Sequence, residues 1–347
     1  MRVLITGNLG YVGPGVVMEL KTHIPGVTVE GYDIGYFAKN ITSLLVSPDI
    51  YLDTQYYGDV RDFPVKLLEG VDAIVSLAAI SNDPIGNQFE EATRSINFEA
   101  NIALAEQAKK QGVTRFVFAS SCSVYGSAEE ARRKESSVLN PLTAYARSKI
   151  MSEEALKELA GPDFQVTCLR FATACGMSDR LRLDLVLNDF VAGAVSSGTI
   201  DILSDGTPWR PLIHVKDMAR AIRWALTKPV GHGGEFVSVN TGRNNWNYQV
   251  RDLAYAVQEM IPGLEVRINK NAAPDNRSYQ VNFDLFQELA PDHQPVYDLK
   301  NTVKDLLDGL RSIRFNNPNF RESHFMRLNI IRDLLANNIL DRNLKIK

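Results

Sequence analysis

Val3-Leu4-Ile5-Thr6-Gly7-Asn8-Leu9-Gly10-Tyr11-Val12-Gly13 is a short apolar run that enters a glycine-rich turn, and from Val16 to Lys21 the pattern turns helical. A strand that passes through glycines into a helix is the first half of a βαβ unit and the natural start of a doubly wound parallel sheet. Glycines there let backbone N–H groups approach a pyrophosphate, and the helix N-terminus adds a favourable partial charge. Gly7, Asn8, Leu9, Gly10, Tyr11, Val12 and Gly13 are therefore expected to cradle a dinucleotide, with Gly13 also letting the helix pack closely on the sheet. A turn built only for tight packing has the same spelling, so its context has to decide. Asp33 ends the next apolar run, where a carboxylate accepts hydrogen bonds from ribose hydroxyls and repels a 2′-phosphate. That placement favours NAD over NADP. Asp59 and Val60 follow an expected third strand and face the adenine side.

The alternation continues outward to about Arg170. Residues 2–6, 27–32, 73–78, 115–120 and 165–170 are short and rich in Val, Ile and Phe, with helical segments such as 96–111 and 145–159 between them. This predicts an α/β chain with a Rossmann-type doubly wound parallel sheet. Beyond Arg170, Pro208, Pro211, Pro229, Pro262, Pro274, Pro291 and Pro295 break the rhythm into a smaller mixed α/β substrate domain. The run and helix near 211–225 can return to the first unit. The expected division is thus 1–170 plus about 212–242 for the NAD-binding domain, and 171–211 plus 243–347 for the substrate domain. The second unit ends in an amphipathic tail at 326–335, whose apolar face is expected to pack on the body or on a neighbouring subunit.

Composition narrows the partners. With 38 basic against 41 acidic residues, there is no field to gather nucleic acid or an anionic membrane, so an anionic ligand must be held by a few placed groups. Cys122, Cys168 and Cys175 are odd in number and lack metal-site spacing, which predicts free thiols in a reducing cytoplasm and no metal. No stretch looks like an export signal or a membrane span.

The chemistry concentrates in Tyr145-Ala146-Arg147-Ser148-Lys149, since four residues are about one helical turn and put Tyr145 and Lys149 on one face. A phenol titrates near 10 and is a poor base at neutral pH, but an adjacent ammonium favours the phenolate. Alone, such a pair is usually an ordinary surface pair. Here Ser120-Ser121-Cys122-Ser123-Val124-Tyr125-Gly126 ends the preceding strand and offers a hydroxyl to hold a reacting oxygen against the tyrosine.

Together, the glycine turn, the Ser-Ser-x-Ser-Val-Tyr-Gly strand end and the Tyr-x-x-x-Lys helix resemble the extended short-chain dehydrogenase/reductases, in the nucleotide-sugar epimerase/dehydratase group. The resemblance covers nearly the whole chain. It implies that Ser121 assists Tyr145, that Lys149 also holds the nicotinamide ribose, and that Ser120 is structural. Leu77, Ala78 and Ala79 fall under the nicotinamide, and Asn97 lies in the central helix. Arg210, in Trp209-Arg210-Pro211-Leu212-Ile213-His214, inherits contact with the nucleotide diphosphate; Arg277 matches a second phosphate-binding arginine and Asn188 a contact to the nucleotide. Two arginines suit a diphosphate, though each read singly equally suits a surface ion pair. His214 is expected to be structural. The resemblance also implies a homodimer through helices around Ile96 and Tyr145.

Departures from the family pattern bear on the reaction. The acid pair of 4,6-dehydratases is replaced by Cys122 and Ser123, which disfavours dehydration and leaves Cys122 as a candidate acid or base or simply a small buried residue. Ser81, Asn82, Asp83 and Thr173 face the expected sugar side, and Arg180 and Arg182 lie in a candidate subfamily-specific substrate loop at 177–184. The resemblance implies NAD-dependent oxidation at C4 of a nucleoside-diphosphate sugar, as an epimerase, with a 4-dehydrogenase or ketosugar reductase as alternatives. A non-catalytic dinucleotide sensor has no chemical need for an intact Ser, Tyr and Lys set.

Overall fold

The apolar runs form seven parallel strands of one sheet. A computed structural model describes residues 1–127, 132–269, 271–272 and 278–347. In chain order the elements begin β1 (Arg2–Thr6), α1 (Gly13–His23), β2 (Thr28–Asp33), β3 (Thr54–Tyr57), β4 (Ala73–Ser76), α2 (Asp83–Gln88), α3 (Glu90–Arg94), α4 (Ala100–Lys110), β5 (Arg115–Ser121), α5 (Ala144–Leu159) and β6 (Gln165–Phe171). There follow β7 (Thr173–Cys175), α6 (Val186–Ser197), β8 (Thr199–Ile202), β9 (Trp209–His214), α7 (Val215–Thr227), β10 (Phe236–Thr241), β11 (Asn247–Gln249), α8 (Val250–Met260), β12 (Glu265–Ile268), α9 (Asp284–Leu289), α10 (Leu299–Ser312) and α11 (Arg327–Ala336).

The large sheet runs β10-β6-β5-β4-β1-β2-β3. Its order reverses between β1 and β4, with Thr6 paired to Tyr32 on one side and Ser76 on the other. A crevice opens at the carboxyl ends of strands at such a switch point. Helices cover both faces, so Val3, Leu4 and Ile5 are all buried instead of alternating with solvent. Val3, Ile5, Val16, Leu20 and Ile222 fill one layer. Leu4, Ile74, Leu104, Phe116, Phe118 and Leu156 fill the other. Each such side chain contributes about 1.5–3 kcal/mol on burial.

Between β6 and β10 the chain leaves the sheet. β7, β9 and β11 form a three-stranded sheet, β8 and β12 a parallel pair. A second core there contains Leu187, Trp246, Leu253, Leu306 and Leu310. α7 returns beside α1, where Arg223 Nε donates to Glu19 at 2.7 Å, and β10 joins β6 in parallel.

The helix expected over 96–111 starts irregularly. Ser95–Glu99 is a π-helical turn before α4. The tail packs on the body of its own chain: Ile331, Leu340 and Leu344 meet Ile80, Ile85 and Ile96. Tyr36 Oη donates to Leu344 O, Arg61 donates to Asn343 O at 2.6 Å and Leu344 O at 3.0 Å, and Asn40 Nδ2 donates to His324 O at 2.5 Å. Among the described residues no helix is long and apolar enough to cross a membrane, and no acid, His and Cys group is placed to hold a metal.

Candidate active site

The crevice is a cavity of about 890 Å³ that reaches from Asp33, Asp59 and Val60 past Gly7, Gly10, Tyr11 and Val12 to Tyr145, Lys149 and Arg210. Its floor depends on missing side chains. Gly7 has φ +76°, and a Cβ there would fall 2.5 Å from Ala78 N at the neighbouring strand end. A Cβ on Gly13 would fall 1.9 Å from Asn8 O, so Gly13 serves the approach of α1 to the turn.

Asp33 is fixed by backbone donors. Its carboxylate accepts from Leu9 N at 3.0 Å and Gly35 N at 2.7 Å while lining the cavity. Burial raises its pKa, and the two N–H groups work against that rise. Asp59 carries a bidentate bond from Arg61, with Nη2 to Oδ2 at 2.5 Å. An anchored carboxylate at one end, a glycine cradle in the middle and the Tyr-Lys pair at the other end fit an extended dinucleotide.

At the chemical end, β5 stops at Ser121 and α5 carries Tyr145 and Lys149 on one turn. Thr143 caps α5, its hydroxyl accepting from Ala146 N at 3.2 Å. The Ser121 hydroxyl lies close enough to the Tyr145 phenol to lower its pKa. Burial nevertheless pushes the Tyr145 phenol up to about 12, opposite to the direction the Tyr-Lys spacing predicts. The reason is shared desolvation: burial also pulls Lys149 down to about 7, against the opposing pull of Glu153 and Cys168. Beneath them Glu153 accepts from Arg170 Nη2 at 2.7 Å, from Ser238 Oγ at 2.9 Å and from Ser120 Oγ, so Ser120 is part of the support. His214 is also support, fully buried, with its ring stacked 3.7 Å from Tyr297 and Nε2 3.1 Å from Asp305.

Leu77, Ala78, Ala79, Ser81, Asn82, Asp83, Ser121, Ser123 and Thr173 all reach the cavity wall. Ser123 Oγ is buried without a hydrogen-bond partner. Asn82 caps α2, accepting from Ile85 N at 3.1 Å.

Several expected site residues lie behind the wall. Asn8 is buried, donating to Gln55 Oε1 at 2.6 Å, and the Leu9 side chain is core; the turn offers backbone there. Cys122 is fully buried, its Sγ donating to Arg170 O at 3.0 Å, and burial pushes the thiol up, which corrects its candidacy as acid or base. Asn97 sits in the π turn and brackets Ile80, accepting from its N at 2.7 Å and donating to its O at 3.0 Å. Arg180 is corrected from substrate contact to loop support, pairing with Asp49 at 2.7 Å. Asn188 likewise holds the wall from behind, accepting from Gly176 N at 3.0 Å and donating to Arg182 O at 3.0 Å. Arg277 lies outside the described residues.

Arg182, in the expected substrate loop at 177–184, lines the cavity, whereas the tail residues found there were not anticipated. Arg182 donates to Ser81 Oγ at 3.0 Å and pairs with Asp184 at 2.6 Å. Arg321, Met326, Arg327, Leu328 and Arg332 bring the tail onto the cavity. The amphipathic pattern at 326–335 signals a buried face, and its arginines were the only hint of an anionic neighbour.

With this geometry, residues 3–240 match the NAD dependent epimerase/dehydratase family over more than half of the chain. The chain belongs to that family. It is an NAD-dependent enzyme of the short-chain dehydrogenase/reductase type. The chain is 27% identical to the UDP-glucose 4-epimerase of Pasteurella multocida over 75% of this chain and 82% of that one. Its fold is similar to that of MoeE5 in complex with UDP-glucose and NAD (TM-score 0.74, 23% identity, 90% of this chain and 99% of that one). It is also similar to the NDP-hexosamine 5,6-dehydratase TunA of tunicamycin biosynthesis (TM-score 0.78, 20% identity, 92% and 99%). In this epimerase/dehydratase chain NAD, when bound, supplies the hydride acceptor. Asp33, the glycine turn and Lys149 line the cavity where it would lie.

Proposed function

We propose that the enzyme is a nucleotide-sugar 4-epimerase that removes hydrogen from C4 of a nucleoside-diphosphate sugar and restores it on the opposite face. The observation that carries this reading is that Ser121 and Tyr145 lie together on the wall of the cavity that Asp33 also lines, with a cysteine and a serine next to Ser121 in place of carboxylates. Relatives such as the Pasteurella enzyme are named UDP-glucose 4-epimerases.

Ser121 holds the C4 hydroxyl against Tyr145, which takes its proton as C4 becomes a ketone and returns it after the sugar has turned over. Lys149, once charged, favours the phenolate. Arg210 on the wall offers its guanidinium to the diphosphate, and Arg277, by its family match, is proposed as a second phosphate-binding arginine. Ser81, Asn82, Asp83, Ser123 and Thr173 set the shape of the sugar end.

A second reading, dehydration, has one observation in its favour. Asp83 lines the cavity near enough to Tyr145 to raise its pKa, so a carboxylate is present from another element.

The test is mass spectrometry of small molecules released on denaturation, followed by proton NMR with UDP-glucose. Retained NAD and appearance of the 4-epimer support the reading. Net NADH with a ketosugar points to a dehydrogenase, and loss of water from the sugar nucleotide to a dehydratase; either result overturns epimerisation.

A further inference from the structure

Three arginines gather around the start of α11. Two have carboxylate partners: Arg180 with Asp49 at 2.7 Å and Arg182 with Asp184 at 2.6 Å. The third, Arg327, opens α11, lies on the cavity wall and is only 3% exposed. Its Nη2 donates to Arg180 O at 2.9 Å, and its Cζ lies 4.4 Å from the centre of the Phe37 ring. Its Nη1 is buried with no hydrogen-bond partner. A buried guanidinium with an unmet donor is costly, and the penalty is relieved when an anion occupies the space before it. Burial and the nearby Arg182 pull its pKa down to about 9, against the opposing pull of Asp184 and Asp33.

The position of that charge identifies the anion. Arg180 N donates to Ser178 Oγ at 3.2 Å, and Ser178 Oγ donates to Tyr11 O at 2.7 Å, so the loop under Arg327 is fastened to the glycine turn. Phe37 follows β2 and lines the same end of the cavity as Asp33.

We propose that Arg327 is a cofactor-binding residue whose guanidinium donates to the pyrophosphate of NAD, and that segment 320–347 thereby straps the dinucleotide into its groove. The bonds from Asn40, Tyr36 and Arg61 to the tail hold this strap on the side of β2 and β3. The inference rests on NAD dependence and is independent of the reaction at C4. A sugar nucleotide also carries a diphosphate, so the test separates the two sources.

Calorimetric titration of NAD-stripped full-length protein with NAD, ADP-ribose and UDP provides that test. Arg327→Gln should weaken NAD and ADP-ribose about 10- to 100-fold, the range of a charge-assisted hydrogen bond, and leave UDP unchanged, with Arg327→Lys recovering part of the loss. Weaker UDP binding with unchanged ADP-ribose assigns the arginine to the sugar nucleotide and overturns the proposal, as does no change in either. If the glutamine variant does not fold, hydrogen exchange on the unaltered protein decides. Slower exchange in 327–336 with ADP-ribose but not with saturating adenosine supports the strap; equal exchange with both overturns it.

Discussion

The Nζ of Lys149 lies 4.5 Å from the centre of the Phe118 ring, a buried amine resting on an aromatic face where water would otherwise solvate it. The cost of that position depends on pH. Its pKa in the fold is about 7 against 10.5 for the ordinary side chain. Below 7 both the folded and unfolded chains hold the proton, and the full desolvation cost is present. Between 7 and 10.5 the unfolded chain binds more protons, so stability rises with pH. Lys149→Met should therefore stabilise the fold most below pH 7, by an upper limit of about 4–5 kcal/mol in unfolding free energy, with the gain fading toward pH 10. A gain that is flat from pH 6 to 10 contradicts this account.

Tyr145 presents the opposite case, a group that makes little difference to the fold and a large one to turnover. Tyr145→Phe keeps the ring and removes the hydroxyl that meets Ser121. Turnover should drop by about 10²–10⁴, while NAD recovered after denaturation stays at the level of the unaltered protein. Rates and cofactor content from one preparation check both halves.

Cys122 is predicted to be silent in chemistry. Its thiol is fully buried and donates to Arg170 O. Cys122→Ala should cost about 1 kcal/mol in urea unfolding and leave turnover within about twofold. A tenfold fall in turnover with the fold intact would return the thiol to the mechanism.

Glu153 is predicted to matter without touching a ligand. Removing its carboxylate by Glu153→Met strands Arg170 in a buried site where both side chains are under 10% exposed. The loss should be about 3–5 kcal/mol. Thermal unfolding measures it.

The sheet was legible because its strands are short, apolar and separated by helical segments; β1 matches the predicted 2–6, and β2 shifts by one residue to end on Asp33. The Tyr-Lys turn was legible because its spacing is local. Asn8 and Leu9 were misjudged because a glycine motif describes backbone, while those side chains turn into the core. Asn188 was placed by resemblance and Arg180 by a departure from the family pattern, and either locates a segment but not which of its side chains crosses to the ligand. Arg327 reaches the cavity through packing between segments far apart in the chain, and single-sequence periodicity carries no record of such contacts.

β6 has every residue buried, and its outer neighbour β10 comes from beyond the whole excursion 172–235. A growing chain that has emerged only as far as β6 presents a seven-residue strand, buried throughout in the finished fold, with one bare row of peptide groups, a template for pairing with any other strand. The exposure persists through translation of the entire excursion, because long-range pairing cannot precede the arrival of its second partner. The molecule's greatest danger of aggregation thus falls during its synthesis, and it ends when β10 closes the edge.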